Sequence, residues 1–264
     1  MELYKYVIPE RIDVVASGRL RFSQATALND PFELRPFFET LIPERKLLAE
    51  IPGKLAYSDL LTPRGQTALL ETIAGVFDTL RDTAPQVRNT MYDALGTRVG
   101  ILSLSRAPDH PLMWAHYAAE HRGMVLVFDS SHAWFDRRRG PADEFFHLRD
   151  VQYRSPRPVE SILSLDGNDV FFAKSEHWSY EQELRMIVPL DSADHVIAGS
   201  AGPICLFNFP AEALTAVIVG AKAEPDLRRR LDGLASASPW QHLSIRESRL
   251  DIREQRVVIE PAMR

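Results

Sequence analysis

The sequence predicts an α+β protein, one domain over residues 1–264, with a mixed or antiparallel central sheet and an inserted helical layer around residues 43–96. Three observations carry this reading. Short runs of strand length, apolar or alternating, recur from Leu3 to Glu260. Helical periodicity is concentrated in one long stretch, where Leu69, Leu70, Ile73, Val76, Phe77 and Leu80 recur at three- and four-residue steps. No repeat, low-complexity tract or linker divides the chain.

Composition narrows the class. At 45% hydrophobic and 25% charged, the chain has an ordinary globular balance and is long enough to bury a sizeable core. Its net charge of −5 argues against a nucleic-acid footprint at whole-chain level. The triplets Arg137–Arg139 and Arg228–Arg230 read as solvated faces. A lone cysteine, Cys205, leaves no internal disulfide and no cysteine-based zinc cluster. No run approaches a membrane helix and no apolar segment follows the first residues as a signal peptide requires, so the expectation is a cytoplasmic protein.

In order, Leu3–Val7 reads as a first strand. Pro9 starts a short helix that Gly18 ends, and Leu20–Ser23 is a second strand. Asn29–Glu33 (NDPFE) is a rigid turn, since Asn and Asp bond to nearby backbone and Pro31 fixes φ. Asn29, Asp30 and Glu33 are candidate ligand contacts there. Within 43–96, Thr83 with Pro85 marks a new helix start and Gly96 a stop. This layer covers the site or forms a protein-partner surface.

Val99–Ser105 (VGILSLS) is a strand with Ser103 and Ser105 on one face, where hydroxyls can hold a ligand. Pro111–Gly123 is a short amphipathic helix carrying His116 and Tyr117. His116 and His121 are five apart, which does not stack them for a metal, so no metal site is assigned. Met124–Phe128 is a central strand; Ser130–Phe146 reads as helical, and Asn168–His177 as a short helix delivering Lys174. Pro203–Phe209 and Ala216–Gly220 are further apolar strands. With a helix over about 224–235 and a strand near His242–Glu247, the second of these makes a strand–helix–strand unit. Gly220 alone is no dinucleotide fingerprint. The expected core is Leu70, Ile73, Phe77, Leu102, Leu104, Val125, Val127, Met186, Val188, Leu206, Val217 and Val219.

The chemistry concentrates in Lys174–Val188 (KSEHWSYEQELRMIV). Read as a strand from Tyr180, it puts Glu181, Glu183 and Arg185 on one face and Tyr180, Leu184 and Met186 on the other. Two carboxylates at the mouth of a buried strand form either a solvated end with a local ion pair or a site.

Tyr4–Tyr6, Asn29–Glu33, Leu102–Ser105 with Met113–Ala118, and Lys174–Arg185 together resemble a bacterial family, the domain-of-unknown-function family 2971. Ser103-Leu104-Ser105 and Glu181-Gln182-Glu183 are also similar to motifs of ADP-ribosyltransferase-like domains. That second resemblance implies NAD as co-substrate and an ADP-ribosyltransferase or NAD-glycohydrolase activity, in bacterial defence or stress response. It implies that Glu183 stabilises an oxocarbenium-like ribose and that Glu181 orients or deprotonates the acceptor. Ser103 and Ser105 would position the ribose, and Trp178 or Tyr180 would stack on a ring. The first-strand arginine or histidine of such domains is absent here; Lys5, beside Tyr6, or Arg21 stands in its place.

Two other classes compete. A non-catalytic ligand-sensing or protein-interaction module predicts that Glu181 and Glu183 are closed off by Arg185 or other arginines. A metal-dependent nuclease would hold Mg²⁺ on Asp30, Glu33, Glu181 and Glu183, with Lys174 at the phosphate.

Overall fold

The computed structural model describes residues 1–43, 46–47, 49–50, 62–156, 161–200 and 202–261. The strands are β1 (Glu2–Val7), β2 (Arg19–Arg21), β3 (Val99–Ser105), β4 (Met124–Asp129), β5 (Leu148–Asp150), β6 (Gln152–Tyr153), β7 (Ala173–Lys174), β8 (Glu183–Pro189), β9 (His195–Gly199), β10 (Gly202–Asn208), β11 (Leu214–Val219), β12 (Ser244–Asp251) and β13 (Arg256–Glu260). The α-helices are α1 (Asp13–Ser17), α2 (Pro63–Arg98), α3 (Pro111–Tyr117), α4 (Gly167–Phe171) and α5 (Pro225–Ala235).

The chain is mixed α+β. An eight-stranded sheet in the order β13-β12-β11-β4-β1-β3-β8-β5 is antiparallel throughout except for β11 and β12, which run parallel. The parallel pair is the expected strand–helix–strand unit, with α5 as its crossover. A smaller sheet, β2-β10-β9, accompanies it.

Strand alternation divides the core. Leu3, Leu102, Leu104, Leu126, Leu184, Met186, Val188, Val217 and Val219 face one layer, with Leu20 of β2, Phe207 of β10 and Leu231 of α5. Tyr6, Val125, Val127, Ala216 and Ile218 face another, against Met113 and Trp114 of α3. Every expected core residue on β3, β4, β8 and β11 is buried, while Leu206, Leu70 and Ile73 are half-buried. On α2 only Phe77 of the expected stripe is buried, and Leu69 and Val76 are exposed.

Several elements depart from expectation. Instead of breaking at Thr83–Pro85 and stopping at Gly96, α2 runs unbroken through both to Arg98. Thr62 caps it, its hydroxyl accepting from the Gly65 N–H at 3.2 Å, with Pro63 in the first turn. An interior proline costs an α-helix about 3 kcal/mol. Here Ala84, fully buried against Phe38, precedes Pro85, and Val87, partly buried against the same cluster, follows it. Most of residues 43–61 lies outside the described residues.

Ser130–Phe146 is not a helix. Only Ala133–Phe135 forms a 3-10 turn, because Trp134 and Phe135 are pulled into the core and the Trp134 indole donates to Asn208 O at 2.9 Å. The arginines that follow pair within the loop, Arg138 with Asp136 and Arg139 with Asp143. Asn168–His177 is split: α4 ends at Phe171, and Lys174 lies on β7, which pairs with β6.

The lone Gly220 has a packing role. Its N–H donates to Gly123 O at 2.9 Å, and a Cβ there would lie 2.2 Å from His121 O. Gly123 is as tightly placed: its Cβ would come 2.2 Å from Val7 O. Among the described residues no helix is long and apolar enough to cross a membrane.

Candidate functional site: a cleft where the sheet opens

β1 pairs with β4 along its whole length, from Glu2↔Asp129 to Val7↔Met124. Against β3 it makes a single pair, Tyr4↔Ser105. Four residues back along β3, Ile101 is taken by Ser23, whose N–H donates to Ile101 O at 2.8 Å. Ser103 therefore stands between two closed positions, where β1 and β3 are apart. A cavity of about 210 Å³ occupies this opening.

Its lining gathers most of the expected residues: Lys5 and Tyr6 from β1, Asn29 and Glu33 from the turn, Ser103 and Ser105 from β3, Tyr117 from α3, and Lys174, Glu181 and Glu183. The strand register explains half of this. Ser103 lies opposite Arg185 and Ser105 opposite Glu183 in the β3–β8 pairing, so the serines and the charged residues share one face.

The carboxylates converge differently from the expected strand. Glu176–Glu181 is a 3-10 helix, and Gln182 closes it in the left-handed conformation at φ 47°. Regular β8 begins only at Glu183. A left-handed non-glycine residue costs about 1 kcal/mol or more. It is held by the Gln182 carbonyl accepting from Arg106 N–H at 3.1 Å, and by Ser105 Oγ donating to Glu181 O at 2.6 Å. The Ser105 hydroxyl, which also accepts from Ala107 N–H at 3.0 Å, is thus committed to shaping the loop.

The result is a buried ionic cluster. Arg185, fully buried, grips Glu183 through Nε–Oε1 at 2.7 Å and Nη2–Oε2 at 2.9 Å, pairs with Glu33, and donates to Phe171 O. Lys174 Nζ lies 2.5 Å from Glu181 Oε2, 3.0 Å from Glu183 Oε2 and 3.7 Å from Glu33 Oε1. Tyr117 donates to Glu181 Oε1 at 2.6 Å, and Tyr153 accepts from the Glu183 N–H at 2.8 Å. Glu181 and Glu183 are each 4% exposed.

Burial sets the electrostatics. It raises the Glu183 carboxyl above the ordinary glutamate range, against the pull of Lys174 and with a push from Glu181. Burial also works against the Lys174 ammonium, but Glu183 and Glu181 outweigh it and its pKa rises. Arg185 is lowered to about 9 by burial, with Asp30 opposing the fall. Tyr117 is raised by burial and by Glu181.

Lys5 differs from the other two cations. Its Nζ donates to Ser103 O at 3.0 Å, and among the described residues it has no carboxylate within ion-pair distance. Burial lowers it to about 8 from the ordinary 10.5, with Glu183 and Glu181 opposing and Arg21 among the cations adding to the fall.

Other expected residues fall outside the lining. Arg21 is on β2, opposite Leu206 of the small sheet. His116 is exposed on α3. The Trp178 ring packs 5.2 Å from Lys174 Nζ, and Tyr180 stacks on His110 at 5.1 Å. Asp30 is buried and closes the turn, Oδ1 accepting from Phe32 N–H at 2.9 Å. Arg185 lies behind the carboxylates. Among the described residues no group of three or more His, Cys, Asp or Glu side chains is arranged to hold a metal ion. Glu33, Glu181 and Glu183 close on Lys174 and Arg185 instead. Tyr153 carried no signal in the sequence, being 30 residues from the Glu183 it supports.

No curated protein and no solved structure matches the chain. A family model described as "Protein of unknown function (DUF2971)" matches residues 113–186, the segment from α3 into β8 that supplies Tyr117, Lys174, Glu181, Glu183 and Arg185.

Proposed function

We propose that the cleft is the substrate site of an enzyme that breaks the nicotinamide–ribose bond of NAD, as an ADP-ribosyltransferase or NAD glycohydrolase. The observation that carries this is the convergence of Ser103, Glu181, Glu183 and Lys5 on one cavity at the β1–β3 opening. Its volume of about 210 Å³ is below the roughly 300–1,000 Å³ of sites enclosing a whole drug-sized ligand, so it suits one end of a dinucleotide.

In this reading the C1′–N bond breaks, its electron pair leaves with neutral nicotinamide, and positive charge grows on the ribose. Three carboxylates against two paired cations face that charge from a fixed, water-poor setting, where a prearranged field is most effective. Lys5, without a carboxylate partner among the described residues, offers the ligand's phosphates a point charge. Water or an acceptor hydroxyl then adds to C1′ and gives up its proton to Glu181.

The test is NAD binding by calorimetry with nicotinamide release measured in parallel, on wild type and Glu183→Gln. Binding with release that falls at least a hundredfold in the variant, the scale of about 2.7 kcal/mol of lost charge stabilisation, supports the reading. No binding at millimolar NAD rejects it.

One observation favours a second reading, a non-catalytic ligand-sensing module. Both oxygens of Glu183 already face Arg185 or Lys174, and both oxygens of Glu181 face Lys174 or Tyr117. NAD binding without nicotinamide release selects it.

A further inference from the structure

The two lysines of the cleft differ in chemistry as well as in place. Lys174 Nζ is held by Glu181 at 2.5 Å and Glu183 at 3.0 Å, and those carboxylates raise its pKa and fix it as an ammonium. Lys5 reaches the same cavity from β1. Alternation sets it on the side of Leu3, which belongs to the large apolar layer. Its amine turns into the opening between β1 and β3 and donates to Ser103 O at 3.0 Å.

That contact orients a nucleophile. A carbonyl oxygen accepts from an ammonium or from a neutral amine. In the neutral form, one N–H holds the Ser103 carbonyl and the nitrogen lone pair is turned away from it, toward an electrophile. Burial, which lowers Lys5 to about 8, brings that neutral form within reach of ordinary pH. Glu181 and Glu183 line the same cavity. A carboxylate has acceptor sites for about four hydrogens, which suits hydroxyls on the carbons beside a carbonyl. The volume of about 210 Å³, below that of sites for drug-sized ligands, limits such a ligand to a few carbons.

We propose that Lys5 captures a short hydroxyaldehyde, the open form of a small reducing sugar, as a Schiff base in this cavity. The nitrogen lone pair forms the bond to the carbonyl carbon as the C=O π pair moves to oxygen. Both amine hydrogens then leave with that oxygen as water, and a C=N bond remains. The exchange needs no oxidant or reductant. Nor does it depend on NAD: the charged Lys5 that serves a phosphate and the neutral Lys5 that adds to a carbonyl are two states of one titration.

The test is chemical capture on the full wild-type chain. Glyceraldehyde below saturation is brought to equilibrium at a series of pH values, the imine is reduced with borohydride, and peptide mapping compares Lys5 with the exposed Lys222. At about pH 8, capture at Lys5 is expected to exceed that at Lys222 by about tenfold or more. It should rise about tenfold from about pH 7 to about pH 9 and then level, as the neutral fraction of an amine of pKa about 8 does. An ordinary lysine, near 10.4, keeps climbing. Glu183→Gln removes a charge that holds the Lys5 pKa up, so the rise should move to lower pH. Propionaldehyde, which has no hydroxyls, should be captured about tenfold less, the worth of one or two hydrogen bonds. The proposal is overturned by capture at Lys5 no greater than at Lys222, or by capture that keeps climbing past about pH 9. A rise that Glu183→Gln leaves in place, or propionaldehyde captured as well as glyceraldehyde, also overturns it. The wild-type map decides the question if Glu183→Gln fails to fold. No NAD is present, so failure of aldehyde capture and failure of NAD cleavage are separate results.

Discussion

Arg185 holds Glu183 by both ends of its fork, Nε at 2.7 Å from one carboxylate oxygen and Nη2 at 2.9 Å from the other, two residues along the same strand. Alternation puts both on one face of β8, and burial of Arg185 at 0% exposure makes each the condition for the other's charge.

Removing Arg185 is therefore expected to be costly. Arg185→Met leaves Glu183 and Glu33 buried with Lys174 as their remaining shared cation, and breaking a buried pair this way costs about 3–5 kcal/mol. Urea unfolding measures it. Arg185→Met combined with Glu183→Gln should recover part of the loss; a double variant no more stable than the single would show that the pair is not coupled.

Tyr117 tests the other carboxylate. Its hydroxyl donates to Glu181 at 2.6 Å, and hydrogen bonds to charged groups contribute about 1.5–3 kcal/mol. Tyr117→Phe should lower the unfolding free energy by that amount while leaving far-UV circular dichroism unchanged. A cost under about 0.5 kcal/mol would mean that water replaces the hydroxyl.

Lys5 makes a prediction in pH. Burial holds its folded pKa near 8 against the ordinary 10.5. Between those values the unfolded chain binds the proton and the folded chain does not, so this residue's contribution to stability rises with pH across the window. Below about 8 both states are protonated and the burial penalty is present in full. Urea midpoints of wild type minus Lys5→Met, followed from about pH 7 to about pH 10, should climb. A flat difference would show that Lys5 is not desolvated.

Gly123 tests the close approach of backbones beside α3. Gly123→Ala would bring a Cβ within 2.2 Å of Val7 O and 3.0 Å of Ala118 O, both main-chain atoms that cannot rotate away. Overpacking of this kind should destabilise by about 3 kcal/mol or more. An unchanged melting temperature would contradict the packing described.

Much of the sheet was legible because its strands are short apolar runs whose period of two survives any context. Met124–Asp129, Val99–Ser105 and Leu214–Val219 are strands with the expected inward residues. What misled was local propensity without its packing partner. Ser130–Phe146 has helix-forming composition, yet Trp134 and Phe135 gain more by entering the core. Pro85 reads as a break, yet α2 runs through it between the buried Ala84 and the partly buried Val87. Glu181 and Glu183 read as one strand face, yet the Ser105–Glu181 bond holds a left-handed turn between them.

By itself, the sequence determined the residue types of the site, the α+β class and the shared face of Ser103 with Ser105 and of Glu183 with Arg185, because side-chain alternation is a property of the strand alone. Only the tertiary structure decided that these faces are registered against each other, that β1 parts from β3 to leave a cavity, and that Lys174 and Arg185 are consumed by carboxylates while Lys5 donates to the Ser103 carbonyl. Those outcomes depend on long-range register and on desolvation, which are set by atoms dozens of residues away and have no local signature in the chain.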